Sequence, residues 1–69
     1  MKISARNVLP GKIVKIVRGP VSTEVTLEVA PGLQIVSTIT TASADALQLV
    51  EGGQAYGLIK ASSVMVGVD

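Results

Sequence analysis

The alternation of apolar and polar residues over 21–29 constrains the fold of this chain more than any other feature. One face of the segment is mostly apolar and the other is polar, which is the pattern of a half-buried β-strand. Ala30-Pro31-Gly32 predicts a turn, and residues 33–40 predict a hairpin partner that is covered on both faces. The two faces of the first strand are Val21, Thr23, Val25, Leu27 and Val29 on one side and Ser22, Glu24, Thr26 and Glu28 on the other.

Further strands are predicted on both sides of this hairpin. Pro10-Gly11 predicts a break before a strand over residues 12–18, where β-branched residues are frequent although the alternation is imperfect. Another strand is predicted at 55–60, and a last alternating strand at 64–68. Because no linker or low-complexity segment interrupts the chain, residues 1–69 are expected to form one domain.

Residues 41–49 predict the only helix, with Thr41 or Ser43 as its N-cap and with Leu47 and Leu49 packed inward. Five or six short strands and one short helix in so few residues predict an all-β fold, a small OB-like β-barrel. Closure of the barrel would remove the exposed strand edges that favour aggregation.

The chain is too short to stabilise such a barrel by its own core. A domain of about 60 residues buries only about 60% of the surface that its unfolded chain exposes. The sequence has no cysteine and no histidine, so neither a disulfide nor a common zinc, copper or iron–sulfur site can compensate. Because 48% of the residues are hydrophobic, we expect part of the apolar surface to lie between the subunits of a homo-oligomer.

The charged residues argue against several classes of function. Without histidine or cysteine, and with five acidic residues expected at the surface, the chain is not expected to be an enzyme. A net charge of +1 and a single aromatic residue, Tyr56, argue against an OB-type nucleic-acid-binding module, which needs a basic groove with stacking platforms. The possibility of a purely structural or adaptor oligomer stays open.

The charged N-terminal residues do not fit a signal peptide and the apolar stretches are too short to span a bilayer, so a cytoplasmic protein is expected.

Two pairs of residues could bind a small oxyanion. Ser4 and Arg6 are two positions apart, as are Lys60 and Ser62, so in extended backbone each pair presents one hydroxyl and one cation on the same face. The backbone N–H groups of Ala5 and Ala61 could complete the set of donors around a tetrahedral dianion. Such spacing also occurs on ordinary solvated surfaces, so convergence of the two pairs in the fold is the discriminating observation.

The residues also carry a family resemblance over essentially the whole chain. Ser4-Ala5-Arg6-Asn7, Arg18-Gly19 before Glu24-Val25, and Ile59-Lys60-Ala61-Ser62-Ser63-Val64-Met65 resemble the Mop domain of molbindins, the molybdenum-pterin-binding family. The resemblance implies an OB-like barrel that swaps strands within a dimer and assembles as a homohexamer, a trimer of dimers. It also implies binding of molybdate or tungstate, for storage or buffering, with no organic cofactor.

The resemblance implies two kinds of oxyanion site. The first, between subunits, uses Ser4, Ala5 and Arg6 of one subunit with Lys60, Ala61 and Ser62 of another. The second uses main-chain groups that correspond here to Val21 and Ser22. Pro20 has no N–H group and therefore cannot serve as a donor beside them.

Overall fold

A computed structural model describes residues 1–69 and shows four strands, one α-helix and one 3₁₀ turn. The mostly-β class with one short helix is therefore as expected. No helix of the structure is both long and apolar enough to cross a membrane. In chain order the elements are β1 (Asn7–Arg18), β2 (Ser22–Ala30), β3 (Leu33–Thr40), α1 (Thr41–Ala46), β4 (Gln54–Ile59) and the 3₁₀ turn (Ala61–Ser63).

The strands form one curled antiparallel sheet in the order β3-β2-β1-β4, an OB-like arrangement. The long strand β1 has two halves, of which the first pairs with β4 and the second with β2. Lys12 lies at the junction, opposite Glu28 on one side and Gln54 on the other. Strand β1 thus joins the central hairpin to β4, while β3 and β4 remain the two edges of the sheet in the single chain.

The predicted break at Pro10-Gly11 is wrong, because both residues lie inside β1. Pro10 is opposite Tyr56 of β4, and the pairing of β1 with β2 begins only at Lys12. At Pro10, β1 therefore has no hydrogen-bonding partner on the β2 side, where the missing N–H of proline is tolerated. A Cβ on Gly11 would lie 2.9 Å from the carbonyl oxygen of Glu28. Glycine therefore allows the end of β2 to approach β1 closely.

A β-bulge explains the imperfect alternation of residues 12–18. Ile13 is opposite Leu27 and Lys15 is opposite Thr26, so Val14 is the extra residue in β1. The bulge changes which positions face inward, and Ile13 and Ile16, three residues apart, both pack in the core. A simple period of two could not have predicted this.

The apolar face of β2 forms most of the core, as expected. Thr23, Val25 and Leu27 are buried, whereas Val21 is exposed ahead of the strand. Thr26, expected on the polar face, is also buried, so the assignment of that residue to the exposed side is wrong. The expectation that β3 is covered on both faces is wrong, because its Ile35 and Ile39 pack on the core while Val36, on the opposite face, is 62% exposed. No other element of the single chain covers that outer face.

Helix α1 is shorter than predicted and has a different N-cap. Thr40, and not Thr41 or Ser43, is the capping residue, and its Oγ1 accepts a hydrogen bond from the Ser43 backbone N–H at 3.0 Å. The helix ends at Ala46, and Gln48 takes a left-handed conformation with φ 53°. Because of this early turn Leu49 packs against the core, but Leu47, expected to do so as well, is 66% exposed.

Replacing Thr40 by alanine is expected to lower the free energy of unfolding by about 1 kcal/mol, because the Ser43 N–H loses its acceptor. Urea denaturation of the purified protein measures this change. Thr38→Ala is the matched control, since Thr38 is an exposed threonine of the same strand without a side-chain hydrogen bond, and a change within about 0.5 kcal/mol is expected there. Equal losses in the two variants would contradict the capping role.

The predicted last strand is absent, so the chain has four strands instead of five or six. Residues 64–69 follow the 3₁₀ turn without regular structure and are exposed, although Val64, Val66 and Val68 alternate as in a strand. A strand needs a partner edge to satisfy its backbone N–H and C=O groups, and no edge of the single chain pairs with this segment.

Candidate functional site

The pairing of β1 with β4 brings the two predicted oxyanion-binding segments together. Because the strands are antiparallel, the beginning of β1 lies beside the end of β4, with Asn7 opposite Ile59. Residues 4–6 lead into β1 and residues 60–62 lead out of β4. Two segments more than 50 positions apart in sequence therefore lie next to each other.

The 3₁₀ turn determines the local geometry after β4. Lys60 is still extended, and the Ser63 N–H then donates to the Lys60 carbonyl oxygen at 2.8 Å, followed by Val64 N–H to Ala61 at 3.3 Å. The turn bends the chain at Ala61, so Lys60, Ala61 and Ser62 follow one another around a tight curve instead of along a straight strand.

These segments border one open cleft of about 570 Å³, next to the end of the β1–β4 ladder. All six residues predicted for the first oxyanion site line it, and they do so within a single chain. Two apolar residues that were not predicted, Ile3 and Leu58, complete the lining. Leu58 could have been found from the sequence, since it lies two positions before Lys60 and extended backbone places both side chains on the same face. The full lining is Ile3, Ser4, Ala5, Arg6, Leu58, Lys60, Ala61 and Ser62.

The cleft is positively charged and contains no carboxylate. The only ion pair of the chain joins Arg18 to Asp45, and neither residue lines the cleft. Arg6 and Lys60 therefore have no acidic partner within 4.0 Å. Both cations are exposed and line the same cleft as Ser4 and Ser62, whose hydroxyl groups are further donors. The donors can therefore meet an anion without first breaking an internal salt bridge. No group of three or more His, Cys, Asp or Glu side chains is arranged to hold a metal ion.

The second predicted site, Val21 and Ser22, does not line a cavity. Both residues are exposed, and their carbonyl oxygens accept hydrogen bonds from Thr41 N–H at 2.8 Å and Gly19 N–H at 2.9 Å. These bonds fix the bend between β1 and β2, with Thr41 Oγ1 also donating to the Gly19 carbonyl oxygen at 2.7 Å. The segment is a hydrogen-bonded bend, and its use as an oxyanion site stays a prediction.

Comparisons with known proteins agree on one family. The sequence profile of the TOBE domain matches residues 3–66. A probable molybdenum-pterin-binding protein from Haemophilus influenzae is 48% identical over 69 residues, covering 100% of both chains. Among solved structures, MopII from Clostridium pasteurianum superimposes with a TM-score of 0.91 at 40% identity, covering 97% of this chain and 100% of that one. A molybdate-binding protein from Sporomusa ovata gives 0.91 at 35% identity, covering 99% and 100%.

Proposed function

The chain belongs to the TOBE domain family and, within it, to the molybdenum-pterin-binding proteins, and from this membership we propose that it binds molybdate, and tungstate by the same donors. The observation that carries the proposal is the convergence of the Ser4/Arg6 and Lys60/Ser62 pairs on one cleft. Two unpaired cations placed together repel each other unless an anion lies between them. A purely structural or adaptor oligomer gains nothing from that arrangement.

In the proposed site, some groups would supply positive charge and others would supply directed hydrogen bonds. The Arg6 guanidinium and the Lys60 ammonium supply positive charge, while the Ser4 and Ser62 hydroxyls and the backbone N–H groups of Ala5 and Ala61 direct donors at the oxygens of the anion. Each hydrogen bond to a charged group contributes about 1.5–3 kcal/mol. Nothing in this scheme changes the bonding of the oxyanion, so the role is binding without catalysis.

Selectivity would follow from size and protonation. Sulfate is a tetrahedral dianion like molybdate but is smaller, so it cannot contact donors on both sides of the cleft equally well. Phosphate carries a proton near neutral pH and needs an acceptor for it, and the cleft has no carboxylate. Where self-association encloses the cleft, a donor left without a partner would cost about 1–3 kcal/mol, which is enough to separate similar anions.

Self-association would complete the site and cover the apolar surface. Only 7 of 69 residues are buried in the single chain, and an apolar groove of about 630 Å³ runs along the inner face of the sheet. The exposed residues of 64–68 alternate like a strand and have no partner edge. These features support a strand-swapped dimer within a homohexamer, a trimer of dimers, in which the oxyanion lies at subunit interfaces. In that assembly the cleft formed by residues 4–6 and 60–62 of one chain would face a second subunit.

For the cell, the proposed role is storage or buffering of the oxyanion in the cytoplasm. A protein that binds the anion without transforming it changes only the free concentration, by mass action. The small size of the chain and the absence from the cleft of groups suited to acid–base chemistry fit such a role.

Isothermal titration with molybdate, on protein whose mass has been determined by light scattering, tests the proposal. We expect saturable heat with molybdate and tungstate, at least 10-fold weaker binding of sulfate, and no detectable binding of phosphate. A well-folded oligomer that gives no heat with molybdate would contradict the proposed function and favour a structural or adaptor role.

A further inference from the structure

Beyond the β1–β4 ladder, no backbone hydrogen bond joins the two halves of the cleft. Residues 4–6 have no regular structure, and residues 60–62 belong to a turn whose hydrogen bonds are all local. No backbone hydrogen bond outside the strands reaches residues 1–6. The relative position of Arg6 and Lys60 is therefore determined at the last pair of the ladder, where Asn7 faces Ile59.

The Asn7 side chain makes a hydrogen bond at this last pair. Its Nδ2 donates to the Ile59 carbonyl oxygen at 3.1 Å, from a partly buried position. The other side-chain hydrogen bonds of the chain all lie between residues 16 and 51, so this one is the sole polar side-chain link near the cleft. Arg6 is the residue immediately before Asn7, and Lys60 is the residue immediately after Ile59.

We propose that Asn7 is a positioning residue of the oxyanion site, whose side-chain amide sets the spacing between the Ser4-Ala5-Arg6 and Lys60-Ala61-Ser62 halves. The inference rests on the proposed function and adds a residue that does not itself line the cleft. Donors of a binding site must be held within about 0.5 Å of their productive positions by neighbouring groups. The Asn7 hydrogen bond supplies this constraint at the base of the two cations.

The chemistry of asparagine suits this role. The Ile59 carbonyl oxygen can only accept, so its partner must be a donor, and the amide of asparagine donates without carrying a charge. An aspartate at position 7 would be an acceptor and would place a negative charge next to the site. A lysine or arginine would add a third cation that competes for the anion. Asparagine makes the hydrogen bond to Ile59 without adding charge, so the positive charge of the cleft comes from Arg6 and Lys60 alone.

Asn7→Ala and Asn7→Leu test the inference, since both remove the donor and leucine keeps the number of side-chain heavy atoms and the branch at Cγ. Titrations with molybdate and with sulfate are made at a temperature where far-UV circular dichroism shows each variant to be folded. We expect molybdate affinity to fall about 3- to 10-fold, as for loss of one hydrogen bond. We also expect the ratio of molybdate to sulfate affinity to fall at least about 3-fold, because a looser spacing discriminates less by size.

Gln54→Ala is the matched control, since Gln54 is an amide at the other end of β4 and makes no side-chain hydrogen bond. Both affinities should be unchanged there. If Asn7 only stabilises the fold, the melting temperature falls but the affinity and the molybdate-to-sulfate ratio of the folded variants equal those of the wild type, and the inference is overturned. Wild-type protein that does not bind molybdate would instead overturn the proposed function, and this inference with it.

Discussion

Replacing Arg6 by alanine is expected to weaken molybdate binding about 10- to 100-fold without dissociating the oligomer. Arg6 is one of only two cations that line the cleft, and its guanidinium has no acidic partner to share. Loss of a hydrogen bond to a charged group costs about 1.5–3 kcal/mol, which corresponds to this range of affinity. Isothermal titration measures the affinity, and light scattering checks the mass of the variant.

Two further variants separate the geometry of Arg6 from its charge. Lys15→Ala is the control for net charge, because Lys15 is an exposed cation of β1 without a salt bridge and lies outside the cleft. Its molybdate affinity should stay within about 2-fold of wild type, since exposed charges at a distance are screened by salt. Arg6→Lys keeps the charge but loses the planar fork, so an intermediate affinity is expected. Equal losses in Arg6→Ala and Lys15→Ala would show that only overall charge matters and would rule out the site.

Replacing Ile13 by alanine is expected to have the largest effect on stability, a loss of about 2–5 kcal/mol in the free energy of unfolding. Ile13 is only 1% exposed and packs with Val25 and Leu27 in the main core cluster of the chain. It also lies at the β-bulge, where the two halves of β1 meet, so neighbouring side chains have little freedom to fill the cavity. For a domain of this size the expected fall in melting temperature is at least about 10 °C.

Thermal denaturation followed by circular dichroism measures the effect, with all variants at the same protein concentration because assembly makes the melting temperature concentration-dependent. Val17→Ala is the comparison, since Val17 is a β-branched residue of the same strand that is 48% exposed and lines neither the cleft nor the apolar groove. A change within about 0.5 kcal/mol is expected for it. Similar losses for Ile13→Ala and Val17→Ala would mean that the core is not centred on Ile13.

Six of the eight residues that line the candidate cleft could be predicted from the sequence. The spacing of two between Ser4 and Arg6, and between Lys60 and Ser62, was interpreted as extended backbone, and the 3₁₀ turn at Ala61–Ser63 shows that this premise is wrong for the second pair although both of its residues line the cleft. What spacing could not establish is that the two pairs meet. That follows from the antiparallel pairing of β1 with β4 and its register, which places Asn7 opposite Ile59. The apolar lining by Ile3 and the link through Asn7 depend on the same register and were not predicted.

The strands were predicted best where one face is buried and the alternation is regular. In β2 the sequence predicted Thr23, Val25 and Leu27 on the core side, because side chains alternate between the two faces of a strand and only one of the two faces is apolar. In β1 the prediction was wrong at Pro10-Gly11, because these residues usually interrupt strands. Here the strand tolerates Pro10 because β2 does not pair with β1 at that position, and it needs Gly11 because the backbone of β2 lies too close for a side chain.

The sequence by itself determined the mostly-β class, the central hairpin, the single short helix and the residue pairs proposed to bind an anion, because these depend on periodicity, capping and side-chain chemistry over a few neighbouring positions. Only the tertiary structure decided which strands are neighbours, where β1 carries its bulge, which face of β3 is exposed and that residues 64–68 form no strand in the single chain. The physical reason is that backbone hydrogen bonds between strands join residues far apart in sequence, and whether a segment finds such a partner depends on the whole fold.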